Sequence, residues 1–295
     1  MTVKETFDNF ILSRELSNLS RKTILDYTQF VSPFVAFVGS EKDFSTLTQE
    51  DINKYISNIV KRPLSSSTKA TYIRHIKIYL KYCQEEYSVC YDAKKIKVPK
   101  SPKREVRIYT NDEVKQIFAS VQAESEWIVA RNKTIIALMY DSGLRQSEVC
   151  TLLHKNISFN GKLITVRGKG DKERVVPIGN LTLYYLEQYI ALCPYRESNV
   201  FVTRQGGILT NNAVKLMISK IADKVPFSLS SHKLRHNFAT NYCLNQYEKN
   251  GSVDVYRLMY LMGHEDIETT QRYLHFANEI LASKNCISHL DNIYV

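Results

Sequence analysis

Long apolar runs are missing from this 295-residue chain. A helix that spans a membrane needs about 20 consecutive apolar residues, and no segment of the sequence approaches that length. The first residues, from Met1 to Thr6, also lack the apolar core of a secretion signal. These two absences predict a cytoplasmic protein without a membrane partner.

Clustered cysteines are missing as well. The cysteines are scattered, and they form neither a C-x-x-C pair nor a cluster with histidine at the spacing of a zinc site. They are Cys83, Cys90, Cys150, Cys193, Cys243 and Cys286. The pattern predicts reduced thiols that serve as small core residues. We expect no metal site and no cofactor.

What the chain does have is positive charge. Its formal net charge is +10 and its pI is near 9.2, which favours a polyanionic partner. Charge alone does not choose between nucleic acid and an anionic membrane. A hydrophobic fraction of 44% and the length of the chain predict a globular protein with two domains.

Residues 1–91 carry apolar residues at helical spacing and show no alternation typical of strands. The apolar positions form four groups, which begin near Phe7, Ile24, Ile52 and Tyr72. Three serines at residues 65–67 precede the last group, where a helix start is expected. The pattern predicts an all-helical domain over residues 1–91.

Residues 92–109 have a different composition. The segment contains Pro99 and Pro102, many lysines and few apolar residues. Proline disfavours helix and like charges repel each other, so the composition predicts an extended basic linker. A solvated tether and a segment lying along phosphates are both compatible with this composition.

Residues 110–295 mix helices with a small sheet. Residues 111–114 resemble a capped helix start, and an apolar segment around Ile135 predicts a buried helix that ends near Gly143. Two apolar segments, 162–166 and 174–178, flank a glycine-containing turn and predict a hairpin, and 200–202 is a further candidate strand. The predicted fold class is mainly α with a small antiparallel β-sheet.

Two arginine motifs carry candidate chemistry. Cleaving a phosphodiester without a metal requires a nucleophile, cations that hold the phosphate oxygens, and an acid for the leaving oxygen. Arg145 follows a glycine turn, and Glu148 lies three residues on, where it can orient the arginine. His232 and Arg235 are also three residues apart, so they share one helical face. Either motif alone occurs often by chance.

A tyrosine is the candidate nucleophile, but the chain has 19 of them. Tyr256 and Tyr260 lie in an apolar segment, so we predict that they are core residues. Tyr273 has polar neighbours and lies nine residues after His264. This setting predicts an accessible Tyr273 hydroxyl, which neighbouring positive charge would activate.

These segments together resemble the tyrosine site-specific recombinases, the family of phage integrases and Xer proteins. The family pattern has G-L-R-x-S-E, a G-K-G hairpin, H-x-L-R, L-G-H and a tyrosine nine residues later. This chain supplies, in that order, Arg145, Lys169, His232, Arg235, His264 and Tyr273. Met262 replaces the usual leucine before the glycine, and residues 246–251 form a polar insertion.

The resemblance implies a role for each residue. Arg145 and Arg235 would hold the scissile phosphate, His232 and His264 would assist by hydrogen bonding and proton transfer, and Lys169 would protonate the leaving 5′ oxygen. Tyr273 would form a 3′-phosphotyrosyl link, so rejoining would need no ATP. Lys172 and Arg174 are alternative donors on the hairpin, although phosphate or solvent contacts are the favoured interpretation for both.

The resemblance also implies a two-domain C-shaped clamp on double-stranded DNA, with a SAM-like core-binding domain at 1–91 and a catalytic domain at 110–295. The candidate DNA-binding residues are Lys69, Arg74, Lys77, Lys81, Lys94, Lys95, Lys97, Lys100, Lys103, Arg104, Lys172 and Arg174. For the residues of the first domain and the linker, a solvated surface without DNA contacts is an equally open interpretation.

The resemblance also carries expectations about oligomeric state and biological function. The amphipathic segment 278–295 either packs on its own domain or is exchanged between protomers, which predicts a homotetramer on DNA and a monomer in solution. The expected function is resolution of dimers or transposon cointegrates at inverted core repeats, with accessory DNA-bending proteins as candidate partners. The alternatives are an integrase or excisionase, a type IB topoisomerase-like enzyme, and a catalytically inactive DNA-binding protein.

Overall fold

The computed structural model of the protein describes residues 1–100, 107–168 and 172–284. Contacts within the chain divide it into two compact units, Met1–Arg104 and Glu105–Val295. Each unit has a hydrophobic core of its own.

The described residues of the first unit form four α-helices. They are α1 (Val3–Leu16), α2 (Arg21–Val38), α3 (Gln49–Lys61) and α4 (Ser66–Glu86). A hydroxyl residue caps the start of each one: Thr2, Ser20, Thr48 and Ser65. Large side chains such as Phe10, Phe34, Tyr55 and Tyr79 fill the space between the helices. The helical character predicted for this part of the chain is therefore confirmed.

Both ends of the segment predicted as a linker are packed. Ala93 and Ile96 are buried in the core of the first unit, and Lys77 Nζ donates to the carbonyl of Ile96 at 2.8 Å. Tyr109 is buried in the second unit, where its amide donates to Asn237 Oδ1 at 2.7 Å. Each end of the segment therefore packs on the unit next to it, because its apolar residues belong to that unit's core, and the linker over 92–109 stays a prediction. Residues 101–106 lie outside the described residues.

The second unit packs helices around a central apolar helix. Its helices are α5 (Asn111–Ala119), α6 (Glu126–Asp141), α7 (Gln146–Cys150), α8 (Asn180–Leu192), α9 (Asn211–Ala222), α10 (Ser231–Asn250), α11 (Val255–Met262) and α12 (Ile267–Lys284). α6 packs against α8 and α10, and its residues Ile135, Ile136, Leu138 and Met139 are buried as predicted.

The predicted hairpin is part of a three-stranded antiparallel sheet. Its strands are β1 (Ile157–Ser158), β2 (Leu163–Arg167) and β3 (Glu173–Pro177), in the order β1-β2-β3. Ile164 pairs with Val176, and both are buried on the face towards the core. Val202 makes only an isolated bridge with Ile208, outside this sheet. The predicted fold class, mainly α with a small antiparallel sheet, is confirmed.

The prediction that Tyr256 and Tyr260 are core residues is wrong. They are 74% and 52% exposed, whereas Leu258, Leu261 and Met262 of the same helix are buried. Residues four apart share one face of a helix, and in α11 this pair occupies the face away from the core. No helix in the described part of the chain is long and apolar enough to cross a membrane.

Candidate active site

A glycine turn places Arg145 at the start of α7. Gly143 has φ +65°, and a Cβ there would lie 2.3 Å from Phe238 Cδ1, so only glycine fits. Arg145 is the N-cap residue of α7, and its amide donates to Glu148 Oε2 at 2.7 Å. Its guanidinium donates to Glu148 Oε1 at 2.9 Å and to the carbonyl of Gly263 at 2.5 Å. The side chain remains 34% exposed, so it can still reach a ligand.

Glu148 is the buried centre of an arginine cluster. Besides Arg145, it accepts two hydrogen bonds from Arg174, at 2.7 and 2.8 Å, and lies 3.9 Å from Arg235 Nη1. Burial by itself would raise the pKa of Glu148. The hydrogen bonds and charge of Arg174, the Arg145 amide and the charge of Arg235 instead hold that pKa below its ordinary value.

Arg235 joins three segments of the site. It is buried on α10 and donates to the carbonyl of Gly143 at 2.5 Å and to the carbonyl of Met262. Burial, together with the charge of Arg145, lowers the pKa of Arg235 to about 9. Arg145, Arg174 and Arg235 surround one carboxylate, so an excess of positive charge remains. Such a cluster favours an anion.

His264 follows a second constrained glycine. Gly263 has φ +58°, and a Cβ there would lie 2.9 Å from Arg174 Nη1 and 3.1 Å from Arg145 Nη1. His264 Nδ1 lies 3.0 Å from the hydroxyl of Thr270 on α12. Burial, followed by the charges of Arg235 and Arg145, lowers the pKa of His264 to about 4, so its ring is neutral near pH 7.

The hydroxyl of Tyr273 is enclosed, contrary to the prediction that it is accessible. Tyr273 is 4% exposed and belongs to the core of the second unit, because α12 packs against α10 and α11. Its Oη lies 2.5 Å from His236 Nδ1. Burial raises the pKa of Tyr273 to about 12, although Arg235, Arg272 and Arg145 oppose that change. Polar neighbours in the sequence did not reveal this packing.

His236 is a site residue that the sequence reasoning missed. Its ring meets that of His232 edge to face, with centroids 3.9 Å apart, and lies 5.3 Å from the ring of Tyr273. The two histidines are four residues apart on α10 and therefore share a face. That spacing was a usable signal, but it is as common as the spacing between His232 and Arg235.

The structure brings together five of the six predicted catalytic residues. Hydrogen bonds and ring contacts connect the segments that carry Arg145, His232, Arg235, His264 and Tyr273. Lys169 lies outside the described residues.

The two other hairpin candidates differ. Lys172 is exposed. Arg174 is buried: it pairs with Glu148, and its Nε donates to the carbonyl of Leu261 at 2.8 Å. Three of its hydrogen bonds are thus used inside the protein, which argues against a direct phosphate contact, and that contact stays a prediction.

The predicted DNA-binding residues of the first unit differ in how they are held. Lys69 and Lys77 are partly covered and donate to the carbonyls of Val60 and Ile96. Lys81 is exposed and pairs with Glu85 at 3.4 Å. Exposed positions are Arg74, Lys94, Lys95, Lys97 and Lys100, whereas Lys103 and Arg104 lie outside the described residues. The exposed positions are available to a polyanion.

Comparisons with known proteins show the family of this chain. The profile described as "Phage integrase family" matches residues 107–279, and that described as "Phage integrase, N-terminal SAM-like domain" matches residues 7–89. Tyrosine recombinase XerA of Pyrococcus horikoshii is 30% identical over 273 residues, which cover 91% of this chain and 88% of XerA. Tyrosine recombinase XerC of Bacillus pumilus is 27% identical over 286 residues, which cover 92% of this chain and 91% of XerC.

A solved structure shows the same fold. The Tn1549 transposon integrase, in complex with a circular intermediate DNA, matches with a TM-score of 0.75 at 17% identity, covering 92% of this chain and 95% of that one. This chain belongs to the phage integrase family, and it is a tyrosine site-specific recombinase.

Proposed function

We propose that this recombinase cleaves and rejoins double-stranded DNA through a 3′-phosphotyrosyl intermediate on Tyr273. The observation that carries the proposal is the cluster of three arginines around one carboxylate, which lies next to the segments that hold the enclosed tyrosine and three histidines. A diester phosphate supplies the negative charge that such a cluster lacks. The tyrosine supplies the attacking oxygen.

Each residue takes one part of the reaction. Arg145 and Arg235 bind the non-bridging oxygens of the scissile phosphate and stabilise the charge that builds up there. His264 is neutral and is oriented by Thr270, so it can donate a hydrogen bond to the phosphate. His232 is exposed at the same site and assists there. Because these donors neutralise the phosphate, the proposed cleavage needs no metal, and because the phosphotyrosyl ester conserves the energy of the broken bond, rejoining needs no ATP.

Lys169 is the proposed acid for the leaving 5′ oxygen. The G-K-G motif lies between β2 and β3 in the sequence, and β3 is connected to the site through Arg174 and Glu148. Lys172 on the same hairpin is exposed and is proposed as a phosphate contact. Comparing Lys169→Ala with Lys172→Ala tests this assignment: if only the second abolishes cleavage, Lys169 is not the acid.

The DNA partner is proposed to be a duplex site with inverted core repeats, bound by four copies of the chain with the C-terminal segment exchanged between protomers. Exposed cations on the first unit and in the predicted linker provide sequence-independent contacts. Removing residues 278–295 should leave binding of one copy intact and abolish cooperative assembly. If a protein shortened in this way still assembles and recombines normally, the exchange does not occur.

Resolution of dimers or transposon cointegrates is the proposed biological outcome, based on similarity to relatives named Xer over most of their length. Integration or excision of a mobile element is the second candidate, because the Tn1549 integrase has the same fold. Paired sites placed in one plasmid and in two plasmids distinguish these outcomes. A resolvase favours the first arrangement, whereas an integrase joins the two plasmids.

Covalent trapping tests the chemistry directly. A duplex that the protein binds is nicked near the cleavage point, so that cleavage releases a short fragment and rejoining is prevented. The protein is added in a buffer that contains EDTA and no ATP. We expect a DNA-linked protein band with the wild type and none with Tyr273→Phe, because only the phenol oxygen can form the ester. An adduct that persists in Tyr273→Phe contradicts the proposed nucleophile. Relaxed plasmids without recombinants would indicate a topoisomerase-like enzyme instead.

A further inference from the structure

The hydroxyl of the proposed nucleophile contacts a histidine that is not one of the six motif residues. Tyr273 Oη and His236 Nδ1 are 2.5 Å apart, at the contact between α12 and α10. This distance lies at the short end of the range for hydrogen bonds. Among the residues that the structure describes, the hydroxyl of Tyr273 forms a hydrogen bond with His236.

The direction of this hydrogen bond follows from the charge states. Burial raises the pKa of Tyr273 to about 12, so the phenol keeps its proton. Burial, followed by the charges of His232, Arg235 and Arg272, lowers the pKa of His236 to about 4, so the imidazole is neutral. The phenol therefore donates, Nδ1 accepts, and the ring carries its own proton on Nε2.

The other two histidines contact their neighbours differently. His264 uses its Nδ1 for the hydroxyl of Thr270, and its ring lies nearly parallel to that of Tyr273, with centroids 6.1 Å apart. His232 packs its ring against His236 at a centroid distance of 3.9 Å. His236 is thus the histidine whose lone pair faces the proton that must leave the nucleophile.

We propose that His236 accepts the hydroxyl proton of Tyr273 when the tyrosine attacks DNA. The inference rests on the proposed function. In this step the Oη–H bond breaks and its proton moves to Nδ1, while Oη forms a new bond to phosphorus. The bond between phosphorus and the 5′ oxygen breaks, and the leaving oxygen takes a proton from Lys169. In the rejoining step, His236 returns its proton to Tyr273.

Bound DNA makes this proton transfer easier. In the free protein, burial together with the charges of Arg235 and Arg272 disfavours a protonated His236, so the phenol stays protonated and unreactive. A phosphate held by Arg145 and Arg235 brings a negative charge that offsets those cations. The imidazole then becomes a stronger base at the point where the substrate is in place.

The test compares two leaving groups in single-turnover cleavage of the nicked substrate. One substrate has the ordinary bridging 5′ oxygen at the scissile phosphate, and the other has sulfur, which leaves without needing a proton. The variants are His236→Ala, His236→Asn and Lys169→Ala. His275→Asn is the matched control, because His275 is exposed on the same helix as Tyr273. DNA affinity and thermal unfolding are measured for each variant.

We expect both His236 variants to cleave about 10²- to 10⁴-fold more slowly on both substrates, as is typical for loss of a general base. Their DNA affinity should remain that of the wild type. Sulfur should restore cleavage in Lys169→Ala and leave the His236 variants slow, because the nucleophile must still lose its proton. His275→Asn should cleave at the wild-type rate.

Two outcomes would overturn the assignment of His236. Asparagine can accept a hydrogen bond but cannot take the proton, so wild-type cleavage by His236→Asn would mean that His236 only positions Tyr273. Restoration of the His236 variants by sulfur would mean that the residue serves the leaving oxygen. Absence of any wild-type adduct on bound DNA is a different result, which would refute the proposed function itself. If His236→Ala fails to fold, the smaller change to asparagine still decides.

Discussion

At the scale of single residues, the balance of charge around Glu148 explains how the site stays assembled without DNA. Glu148 is 3% exposed, and its carboxylate contacts guanidinium groups from three different segments. One negative charge is enough to hold the arginines together but not to neutralise them. The site is therefore preorganised for an anion while keeping a net attraction for it.

Glu148→Gln should destabilise the protein by about 3 kcal/mol or more, because removing one partner of a buried ion pair leaves the other charges unpaired. The free energy of unfolding is measured by chemical denaturation. Glu173→Gln is the control: Glu173 pairs with Arg167 on the surface, where both side chains are more than half exposed. Its loss should cost no more than about 1 kcal/mol. Equal effects of the two substitutions would contradict the buried network.

Acid should reduce the difference between the wild type and Glu148→Gln. The pKa of Glu148 is held below its ordinary value in the folded protein, so its contribution to stability is fully present above the unfolded pKa, near 4.5. That contribution is lost as the pH falls through the folded pKa. We expect the two unfolding free energies to differ by a constant amount from pH 7 to pH 5 and to converge below about 4.5. A constant difference down to pH 3 would argue against this linkage.

Arg174 and Lys172 lie two residues apart but should affect DNA binding differently. Lys172→Gln removes an exposed charge, and the slope of log affinity against log salt should fall by about 1. Arg174→Gln removes a buried partner of Glu148, so it should lower stability and cleavage and leave the salt slope unchanged. Fluorescence anisotropy over a range of salt concentrations measures both slopes. A reduced salt slope in Arg174→Gln would mean that Arg174 does contact a phosphate, despite its burial.

At the scale of elements, the carbonyls of two tight turns hold the guanidinium groups of Arg145 and Arg235, the proposed phosphate-binding residues. The turn after α6 brings the carbonyl of Gly143 to Arg235 and presents Arg145 at the start of α7. The turn after α11 brings the carbonyl of Gly263 to Arg145. Displacing either turn should move both arginines relative to each other.

Gly143→Ala tests the first turn, and Gly251→Ala is a matched control. Both glycines have positive φ, but a Cβ at Gly143 would collide with Phe238, whereas nothing lies within 4 Å of one at Gly251. The control should lose about 1–2 kcal/mol of stability from backbone strain alone. Gly143→Ala should lose more and should also slow cleavage. Equal losses in thermal unfolding and unchanged cleavage would show that the contact with Phe238 is easily relieved.

The elements were more predictable than the faces they bury. Apolar periodicity and turn residues predicted the helices of the first unit and the β2–β3 hairpin, because these signals are local. Tyr256 and Tyr260 were assigned to the core because α11 is apolar nearly all round, which leaves its inward face undetermined. The packing of Ile96 was not predicted, because one apolar residue in a lysine-rich segment does not change the composition enough to indicate burial.

The site was predictable as a set of residues but not as a network. Motifs identified the charged residues and the proposed nucleophile, whereas the burial of Tyr273 depends on contacts between α12 and α10. The pairing of Arg174 with Glu148 spans 26 residues and leaves no local pattern. The spacing of His236 from His232 did not reveal its contact with Tyr273, which joins α10 to α12.

At the scale of the whole molecule, the chain has two cores that share no member. One core is formed by residues between Val3 and Ile96, and the other by residues between Tyr109 and Ala277. We therefore expect residues 1–104 to fold when expressed alone, and residues 105–295 likewise. A domain of about 100 residues is large enough to bury a stable core.

Calorimetry of the two fragments tests this independence. Each should unfold in a cooperative transition, with a heat-capacity change of roughly 1.2–1.5 kcal/mol/K per 100 residues. The second fragment retains every described residue of the proposed site, so it should still form a weak covalent adduct at high DNA concentration. The first fragment should bind DNA without forming an adduct, because it lacks Tyr273. Fragments that unfold without cooperativity would mean that each core depends on the other unit.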